Sequence, residues 1–387
     1  MPTKALVIEG GTVFTPFMRI DEGTVYIENG RIAKVGKRIS GLSGAEIVDA
    51  SGMTVVPGFM DTHVHGGSGY DVMDGTVEAL RTIAAYHARF GTTSMVATTT
   101  TESLDRIIQA VRATRTVIEG GTGGAEVLGI HLEGPYINPE RSGAQNLEHV
   151  RSPSLSEFKR ILEESANRVR IVTLAPEIKG AVEFIAALKN SGVVLSAGHS
   201  NASYADMFSA IDAGITHITH VFNGMREFHH REPGIVGVAL TCEELTVSMI
   251  ADGVHLHPNV IELLFKAKGA DNIILITDAI RAAGMSDGTY ELGGLPVTVK
   301  SGICRLASGT LAGSTLTMNM AVKNIVDFLG IPLSDALKMA STNAAKMIGF
   351  ADSKGSLEEG KDADIVILDE DFNVKKTIVK GRIIATN

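Results

Sequence analysis

The sequence has little of what marks a secreted or nucleic-acid-binding protein. Its only two cysteines, Cys242 and Cys304, lie far apart and indicate neither a disulfide framework nor a cysteine-based zinc site. It has no tryptophan, and its 35 basic residues are outnumbered by 44 acidic ones. The resulting net charge of −9 argues against nonspecific binding to nucleic acid, which needs a basic face.

Long apolar segments are also missing. No apolar run approaches the ~20 residues that a membrane-spanning helix needs. The residues from Met1 to Ala5 lack the charged segment and apolar core of a signal peptide. We therefore predict a cytoplasmic protein with neither membrane nor nucleic-acid partners. The 387 residues, 44% hydrophobic and 20% charged, could form two or three average domains or one large barrel with an appendage.

The two ends of the chain have the alternating, turn-rich pattern of β-structure. Near the N-terminus, Thr24–Ile27 is followed by Asn29-Gly30, a strong hairpin signal. Near the C-terminus, Ala363–Leu368 opens a similar set of strands. Neither end has enough apolar residues to fold alone. We expect residues 1–53 and 355–387 to form one small β-sandwich domain, with residues 54–354 forming a separate catalytic domain.

Between the ends, apolar strand-like runs alternate with helical segments. The predicted strands are Val55–Met60, Ser94–Thr98, Val127–Leu132, Val169–Leu174, Val193–Ala197, Ile215–Thr219, Thr246–Ile250 and Ile273–Thr277. The predicted helices are Val77–Phe90, Leu104–Ile118, Leu155–Ala166, Ala181–Asn190, Val260–Lys268, Thr315–Leu329 and Leu333–Met347. Eight such units predict an α/β fold with a (β/α)8 barrel, and a doubly wound open sheet is the alternative. The Gly-rich, strand-like segment Gly284–Ala307 interrupts the pattern after the eighth strand.

Potential metal ligands occur where predicted strands end, which is where barrel enzymes gather their catalytic groups. They are His63, His65, Glu133, His199, His220 and Asp278. Glu133, His199 and Asp278, each taken alone, would more often be a solvated, loop or cap residue, and the pair His63 and His65 alone is as well explained by a polar loop. His217 competes with His220 as the ligand from its segment. Together, four imidazoles and two carboxylates exceed the needs of one tetrahedral ion. They suit two divalent ions bridged by a carboxylate.

The motifs around these residues resemble the amidohydrolase superfamily. Those that carry the resemblance are His131–Pro135, Gly198–Ser200, His220–Met225, Arg231–Gly234, Ala251–His255, Thr277–Ala279 and Leu311–Ser314. Within the superfamily they are similar to enzymes that deacetylate N-acetylglucosamine 6-phosphate, in which a glutamate replaces the carboxylated lysine that bridges the metals in many relatives. The resemblance covers nearly the whole chain, both terminal β-segments included.

The resemblance implies a divalent metal, Zn²⁺ or Fe²⁺, with one or two ions per subunit. Glu133, His199 and His220 would hold the main ion, and His63 and His65 would share Glu133 to hold a second. Asp278 would act as general base and then general acid while activated water attacks the acetamide. The implied products are glucosamine 6-phosphate and acetate.

The resemblance also implies a substrate site and an oligomeric state. The residues implied in binding the phosphorylated amino sugar are Ala144, Gln145, Asn223, Gly224, Arg231, His255, Leu311, Ala312 and Gly313. Arg231 would grip the phosphate, and because relatives complete this site across a dimer interface, we expect a homodimer. Gln145 stands where several relatives have histidine, so an amide N–H could replace the imidazole that polarises the substrate. Gly224 stands where alanine is frequent.

Two other functions compete with this interpretation. A cyclic amide hydrolase of the dihydroorotase type typically needs a bridging lysine, and none occurs at a fitting strand end. A non-catalytic barrel scaffold would have no reason to retain four histidines and two carboxylates at one mouth.

Overall fold

Eight parallel strands form the central sheet of the computed structural model, which describes residues 5–39 and 44–386. Residues 1–4, 40–43 and 387, all within the predicted terminal domain, lie outside the described residues. The eight strands are Phe59–Val64, Thr92–Thr99, Glu126–Glu133, Val169–Leu174, Val194–Ala197, His217–Ile218, Thr246–Ile250 and Ile273–Ile276. Strands that are adjacent in this list pair with each other, so the order in the sheet follows the order in the sequence. This order and the parallel pairing confirm the predicted barrel.

The first and last barrel strands are joined at their carboxyl ends rather than by a continuous ladder. The Asp278 N–H donates to the His63 carbonyl at 2.9 Å. The buried carboxylate of Asp61 accepts hydrogen bonds from the backbone N–H and the hydroxyl of Thr277. The junction that closes the barrel therefore fixes His63 and Asp278 next to each other.

Helices cover the outside of the barrel. They span Val77–Ala88, Leu104–Gly120, Leu155–Glu164, Ala181–Leu188, Tyr204–Ala213, Gly234–Thr241, Pro258–Lys268 and Met318–Leu329. Tyr204–Ala213 and Gly234–Thr241 were not among the predicted helices. The predicted helix Leu333–Met347 is helical throughout, but its middle, Lys338–Thr342, has π-helical hydrogen bonding. None of the described helices combines the length and the apolar composition required to cross a membrane.

The predicted first strand, Val55–Met60, is split between two sheets. Thr54–Pro57 pairs with strands from both chain ends, whereas Phe59–Val64 belongs to the barrel. Gly58 separates them, and a Cβ at this position would lie 2.1 Å from the Thr93 hydroxyl oxygen. The chain can therefore pass from one sheet to the other only where no side chain is present.

The two ends of the chain form one connected eight-stranded sheet. Its strands are Leu6–Phe14, Arg19–Glu28, Arg31–Gly36, Glu46–Asp49, Thr54–Pro57, Ile365–Leu368, Val374–Val379 and Arg382–Thr386. The sheet has its own apolar core, to which Ile8 and Val25 contribute from one end and Ile365 and Ile378 from the other. Apolar side chains from the two ends of the chain therefore share one core.

The segment after the eighth barrel strand forms a small antiparallel sheet. Its strands are Gly288–Leu292, Leu295–Lys300 and Ile303–Arg305. Leu292, Val297 and Cys304 pack with Ile280 and Ala312 in a separate apolar cluster beside the barrel mouth. The predicted excursion is thus an ordered element that forms part of the mouth.

A buried lysine links the barrel to the terminal sheet. The Nζ atom of Lys354 lies 2.6 Å from Asp364, 2.8 Å from Glu126 and 3.1 Å from Asp362, and its side chain is 3% exposed. Burial alone would lower the pKa of Lys354, but the charges of Asp364 and Glu126 raise it above its ordinary value.

We expect Lys354→Met to lower the free energy of unfolding by about 3–5 kcal/mol, because it leaves buried carboxylates without their cation. Urea unfolding of the variant would measure this loss. Lys266→Met is the matched control, since Lys266 forms an exposed pair with Glu262 and such pairs contribute little. Equal effects of the two substitutions would contradict a structural role for the buried cluster.

Candidate metal and substrate site

Five buried side chains meet at the carboxyl end of the barrel around Glu133. Its Oε1 atom lies 3.1 Å from Nε2 of both His199 and His220 and 3.3 Å from Nε2 of His63, and its Oε2 atom lies 3.2 Å from Nε2 of His65. The structure therefore brings together all five residues that the resemblance assigned to metal binding.

The five side chains divide into two groups that share Glu133. His63, His65 and Glu133 form one group, and Glu133, His199 and His220 form the other, with ligand atoms within 4.8 Å of one another. Imidazole nitrogen and carboxylate oxygen are the donors that zinc and iron accept. Both groups are buried, whereas unligated imidazoles and carboxylates are usually found in contact with water. The donor set therefore fits a divalent metal ion.

His217, the alternative ligand in its segment, has a different role. Its Nδ1 atom lies 2.7 Å from the hydroxyl of Thr246 inside the barrel. Burial lowers its pKa to about 3, so the ring is neutral. His220, three residues later, reaches Glu133 instead.

An unusual backbone conformation aims three of the site residues into the mouth. His199, His220 and Asp278 have φ angles of 49°, 31° and 50°, in the left-handed region that non-glycine residues seldom adopt. Such conformations cost free energy and cluster at functional sites. Here each of the three residues lies two positions beyond the end of its strand, where the chain turns away from the sheet.

Asp278 completes the cluster. Its Oδ1 atom lies 3.2 Å from Nε2 of His65 and 3.4 Å from Nε2 of His63, and its side chain is 13% exposed, so it contacts both the cluster and the cavity above it. Burial would raise the pKa of Asp278, but the charge of His63 and the hydrogen bond with His65 lower it. The carboxylate is therefore ionised at neutral pH.

Glu133 and His65 are also charged, because neighbouring charges and hydrogen bonds outweigh the effect of burial on their pKa values. Burial opposes the charge on Glu133, but His63 and the hydrogen bonds of His199 and His220 hold its pKa well below the ordinary value. Burial likewise opposes the charge on His65, whose pKa is raised well above the ordinary value by Asp278 and Glu133. A bound cation would favour the ionised carboxylates as these imidazoles do.

A cavity of about 260 Å³ lies over the cluster. Its wall includes seven of the predicted substrate residues: Ala144, Gln145, Asn223, Gly224, His255, Leu311 and Gly313. Leu292, from the excursion after the eighth strand, and Thr310, just beyond the excursion, line it too and were not predicted. Their position depends on how the excursion packs, for which the sequence carries no local signal.

Gln145 is held by two hydrogen bonds within the protein. Its Nε2 donates to Glu133 Oε2 at 2.6 Å, and its Oε1 accepts the Thr101 N–H at 2.6 Å. One amide N–H thus points at the Glu133 carboxylate rather than into the cavity. The expected contact of Gln145 with the substrate stays a prediction, and the geometry adds a contact that orients Glu133.

Gly224 contributes a close approach to a ligand histidine. Its φ angle is +61°, and a Cβ there would lie 3.0 Å from Nδ1 of His199. An alanine would need both a strained backbone and displacement of the imidazole. Glycine therefore suits this backbone better than alanine would.

His255 is oriented by a carboxylate. Its Nδ1 lies 2.7 Å from Asp252 Oδ2, which assigns the hydrogen to Nδ1 and leaves Nε2 for a ligand in the cavity. Asp252 also accepts the N–H groups of Val254 and His255, so the turn that carries the imidazole is fixed as well.

Two predicted substrate residues do not line the cavity. Ala312 is fully buried in the apolar cluster of the excursion. Arg231 lies on an exposed loop, and its Nη1 is 2.8 Å from Nε2 of His230. Within one described subunit, the guanidinium is therefore part of the outer surface.

A larger groove of about 790 Å³ lies at the opposite end of the barrel, beside the Gly120–Gly124 loop and the terminal sheet. Two of its charged residues, Lys380 and Glu126, pair with each other at 2.6 Å. Imidazoles are absent from its described lining. We assign the chemistry to the smaller cavity, where the ionisable groups converge.

Comparison with known proteins agrees with this geometry. The model of the amidohydrolase family matches residues 54–384. The chain is 41% identical over 384 residues to the N-acetylglucosamine-6-phosphate deacetylase of Bacillus subtilis (strain 168), covering 98% of this chain and 97% of the relative. It is 41% identical over 327 residues to the N-acetylgalactosamine-6-phosphate deacetylase of Escherichia coli O157:H7, covering 84% and 86%.

A solved structure is similar over the same length. A substituted variant of N-acetyl-D-glucosamine-6-phosphate deacetylase from Mycobacterium smegmatis, in complex with N-acetyl-D-glucosamine-6-phosphate, superimposes with a TM-score of 0.93 at 37% identity. The match covers 99% of this chain and all of the other. By the family match and these relatives together, the chain belongs to the amidohydrolase family.

Proposed function

We propose that this protein hydrolyses N-acetylglucosamine 6-phosphate to glucosamine 6-phosphate and acetate. The observation that carries the proposal is the ionised Asp278 carboxylate, which borders both the buried ligand cluster and the cavity. The full-length similarity to enzymes named for this reaction supports the choice of substrate. Neither alternative fits as well. Glu133, not a lysine, is common to the two ligand groups, and a non-catalytic scaffold would not need the buried cluster of histidines and carboxylates.

The residues proposed for the metal are those of the two groups that share Glu133. Glu133, His199 and His220 would hold the main ion, and His63 and His65 would share Glu133 to hold a second. When bound, a divalent ion lowers the pKa of the attacking water and polarises the acetyl carbonyl. Zn²⁺ and Fe²⁺ are the ions we propose, because both accept imidazole and carboxylate ligands.

Asp278 would move the proton of the reaction. Its ionised carboxylate accepts a proton from water as the water oxygen bonds to the acetyl carbon. It then donates that proton to the amide nitrogen as the carbon–nitrogen bond breaks. One water is consumed, and acetate and the free amine are released.

Acetate release is the direct test. Purified protein supplied with Zn²⁺ or Fe²⁺ should release acetate from N-acetylglucosamine 6-phosphate, and prior dialysis against a chelator should abolish the release until the ion is returned. N-acetylgalactosamine 6-phosphate belongs in the same assay, because relatives named for each sugar are equally identical to this chain. A metal-replete protein that releases no acetate from either sugar would contradict the proposal.

We further propose that the protein acts in the cytoplasm as a homodimer and that Arg231 binds the substrate phosphate from the neighbouring subunit. The support is the exposed position of Arg231 on a loop that also presents Phe228, which is 54% exposed. Tyr204 and Phe208, also exposed, provide further apolar surface for a contact between copies. Light scattering coupled to gel filtration would measure the subunit number.

Arg231→Ala should raise KM for the phosphorylated sugar by about 10- to 100-fold, since a charge-assisted hydrogen bond contributes about 1.5–3 kcal/mol. Its effect on the slow hydrolysis of unphosphorylated N-acetylglucosamine should be small. Arg115→Ala is the control, because Arg115 is an exposed helical arginine paired with Glu119. Equal losses on both sugars would argue against a phosphate contact.

A further inference from the structure

One of the four candidate metal-binding histidines, His63, lacks the hydrogen bond that the other three make through Nδ1. Three of the four imidazoles have Nδ1 within 3.0–3.2 Å of a backbone carbonyl oxygen: His65 at Thr98, His199 at Arg141 and His220 at Asn223. This contact fixes the ring and directs Nε2 at the metal. Nδ1 of His63, by contrast, is buried and has no hydrogen-bond partner among the described residues. The ring therefore lacks the Nδ1 hydrogen bond that anchors the other three, and packing must hold it on this side.

Of the three histidine rings that contact His63, that of His131 lies nearest. Its ring packs edge-on against His63, with centroids 4.6 Å apart and an interplanar angle of 74°. Its Nδ1 lies 3.1 Å from the carbonyl oxygen of Thr62, the residue directly before His63. His131 therefore contacts both the ring and the backbone of this ligand.

A line of buried hydroxyls holds His131 in turn. Nε2 of His131 lies 2.7 Å from the Thr173 hydroxyl, which lies 2.7 Å from the Thr219 hydroxyl, which lies 2.6 Å from the Ser196 hydroxyl. The three hydroxyl residues are fully buried. They come from the fourth, fifth and sixth barrel segments, so the line runs across the barrel interior.

The direction of each hydrogen bond between His131 and the buried hydroxyls follows from the contact of His131 with the Thr62 carbonyl. The Thr62 carbonyl can only accept, so Nδ1 of His131 carries the hydrogen. Both ring nitrogens meet uncharged oxygens in a buried setting, which favours the neutral ring, and Nε2 must then accept from Thr173. Thr173 has no second hydrogen and accepts from Thr219, which accepts from Ser196. The hydroxyl hydrogen bonds therefore all point towards Nε2 of His131, and the ring has only one tautomer.

We propose that Ser196, Thr219, Thr173 and His131 are positioning residues that orient His63 and thereby set the affinity of the second metal ion. The inference rests on the proposed ligand groups but not on the identity of the substrate. It predicts that one ion depends on these hydroxyls while the ion of Glu133, His199 and His220 does not. Loss of an outer-shell partner typically weakens metal binding by about 10- to 100-fold.

Metal titration of the complete protein tests the proposal. Chelator-stripped wild type should bind two Zn²⁺ ions by equilibrium dialysis with elemental analysis. Thr173→Val removes the donor to His131 with little change of shape, and should weaken one ion by about 10- to 100-fold while leaving the other within about threefold. Thr173→Ser restores the hydroxyl and should recover both affinities.

Thr92→Val is the matched control. Thr92 is a fully buried threonine of the second barrel strand whose hydroxyl has no hydrogen-bond partner among the described residues. Its variant should bind both ions as wild type does. Ser196→Ala, at the far end of the line, provides a milder variant if Thr173→Val fails to fold, and it should weaken the same single ion.

The outcomes separate two kinds of failure. If wild type binds two ions and both Thr173→Val and Ser196→Ala retain both affinities, the positioning role is wrong and the metal site stands. If wild type binds one ion or none, there is no second ion whose affinity His63 could set, and the proposal is overturned together with the idea of two occupied ligand groups. Equal weakening of both ions in Thr173→Val would indicate general loosening of the barrel and would also contradict it.

Discussion

Asp278→Asn should lower kcat by about 10²- to 10⁴-fold, the range that a positioned general base contributes. The carboxylate is ionised and borders the cavity, whereas a carboxamide of the same shape cannot accept a proton. Its Oδ1 contacts His63 and His65 but belongs to neither of the two ligand groups. Metal content measured by elemental analysis should therefore stay near the wild-type value while turnover is lost.

The control for this substitution is Asp287→Asn. Asp287 lies on the excursion, where its carboxylate accepts the Ser301 N–H. That variant should keep most of its activity. If Asp278→Asn turned over substrate at a near-normal rate with its metal in place, another group would have to move the proton.

Glu133→Gln should have the second large effect, the loss of both metal ions. Glu133 is the one residue that the two ligand groups share, and it contacts all four imidazoles. A neutral amide is a much poorer ligand for a divalent cation than a carboxylate. We expect metal affinity to fall by at least about 100-fold and acetate release to fall to background. Dialysis against Zn²⁺ followed by elemental analysis would measure the loss.

Glu126→Gln separates metal loss from general destabilisation. Glu126 begins the strand that Glu133 ends, and it pairs with Lys354 and Lys380 instead of the cluster. Its variant should be less stable yet retain its metal. A Glu133→Gln protein that kept two ions would show that the histidines alone hold them.

The architecture was largely predictable because each barrel strand is a local apolar run. The boundary of the first strand was not, because the residues on either side of Gly58 are equally apolar. What distinguishes them is pairing with Ile365–Leu368, at the other end of the sequence. The helix Gly234–Thr241 escaped prediction for a related reason. Six of its eight residues are buried, so it has no polar face from which a helical period could be read.

The ligand cluster was predictable from one geometric rule, that parallel strands of a barrel end at the same rim. The rule gives which residues meet but not how their side chains are held. The left-handed backbone conformation of His199 and Asp278 could not be predicted from the sequence, because glycine is the usual signal for it and neither residue is a glycine. The contact between Gln145 and Glu133 depends on a loop conformation, and the exposure of Arg231 depends on the tertiary placement of its loop.

The terminal sheet combines strands from the two ends of the chain, and this affects how the protein folds during synthesis on the ribosome. One edge of Thr54–Pro57 pairs with Ile365–Leu368, which is made only after the entire barrel. At about 5–20 residues per second, translation leaves that edge unpaired for tens of seconds. An open strand edge is a template for other chains. Polypeptides released before residue 365 should therefore associate through this edge and be substrates for chaperones or proteases.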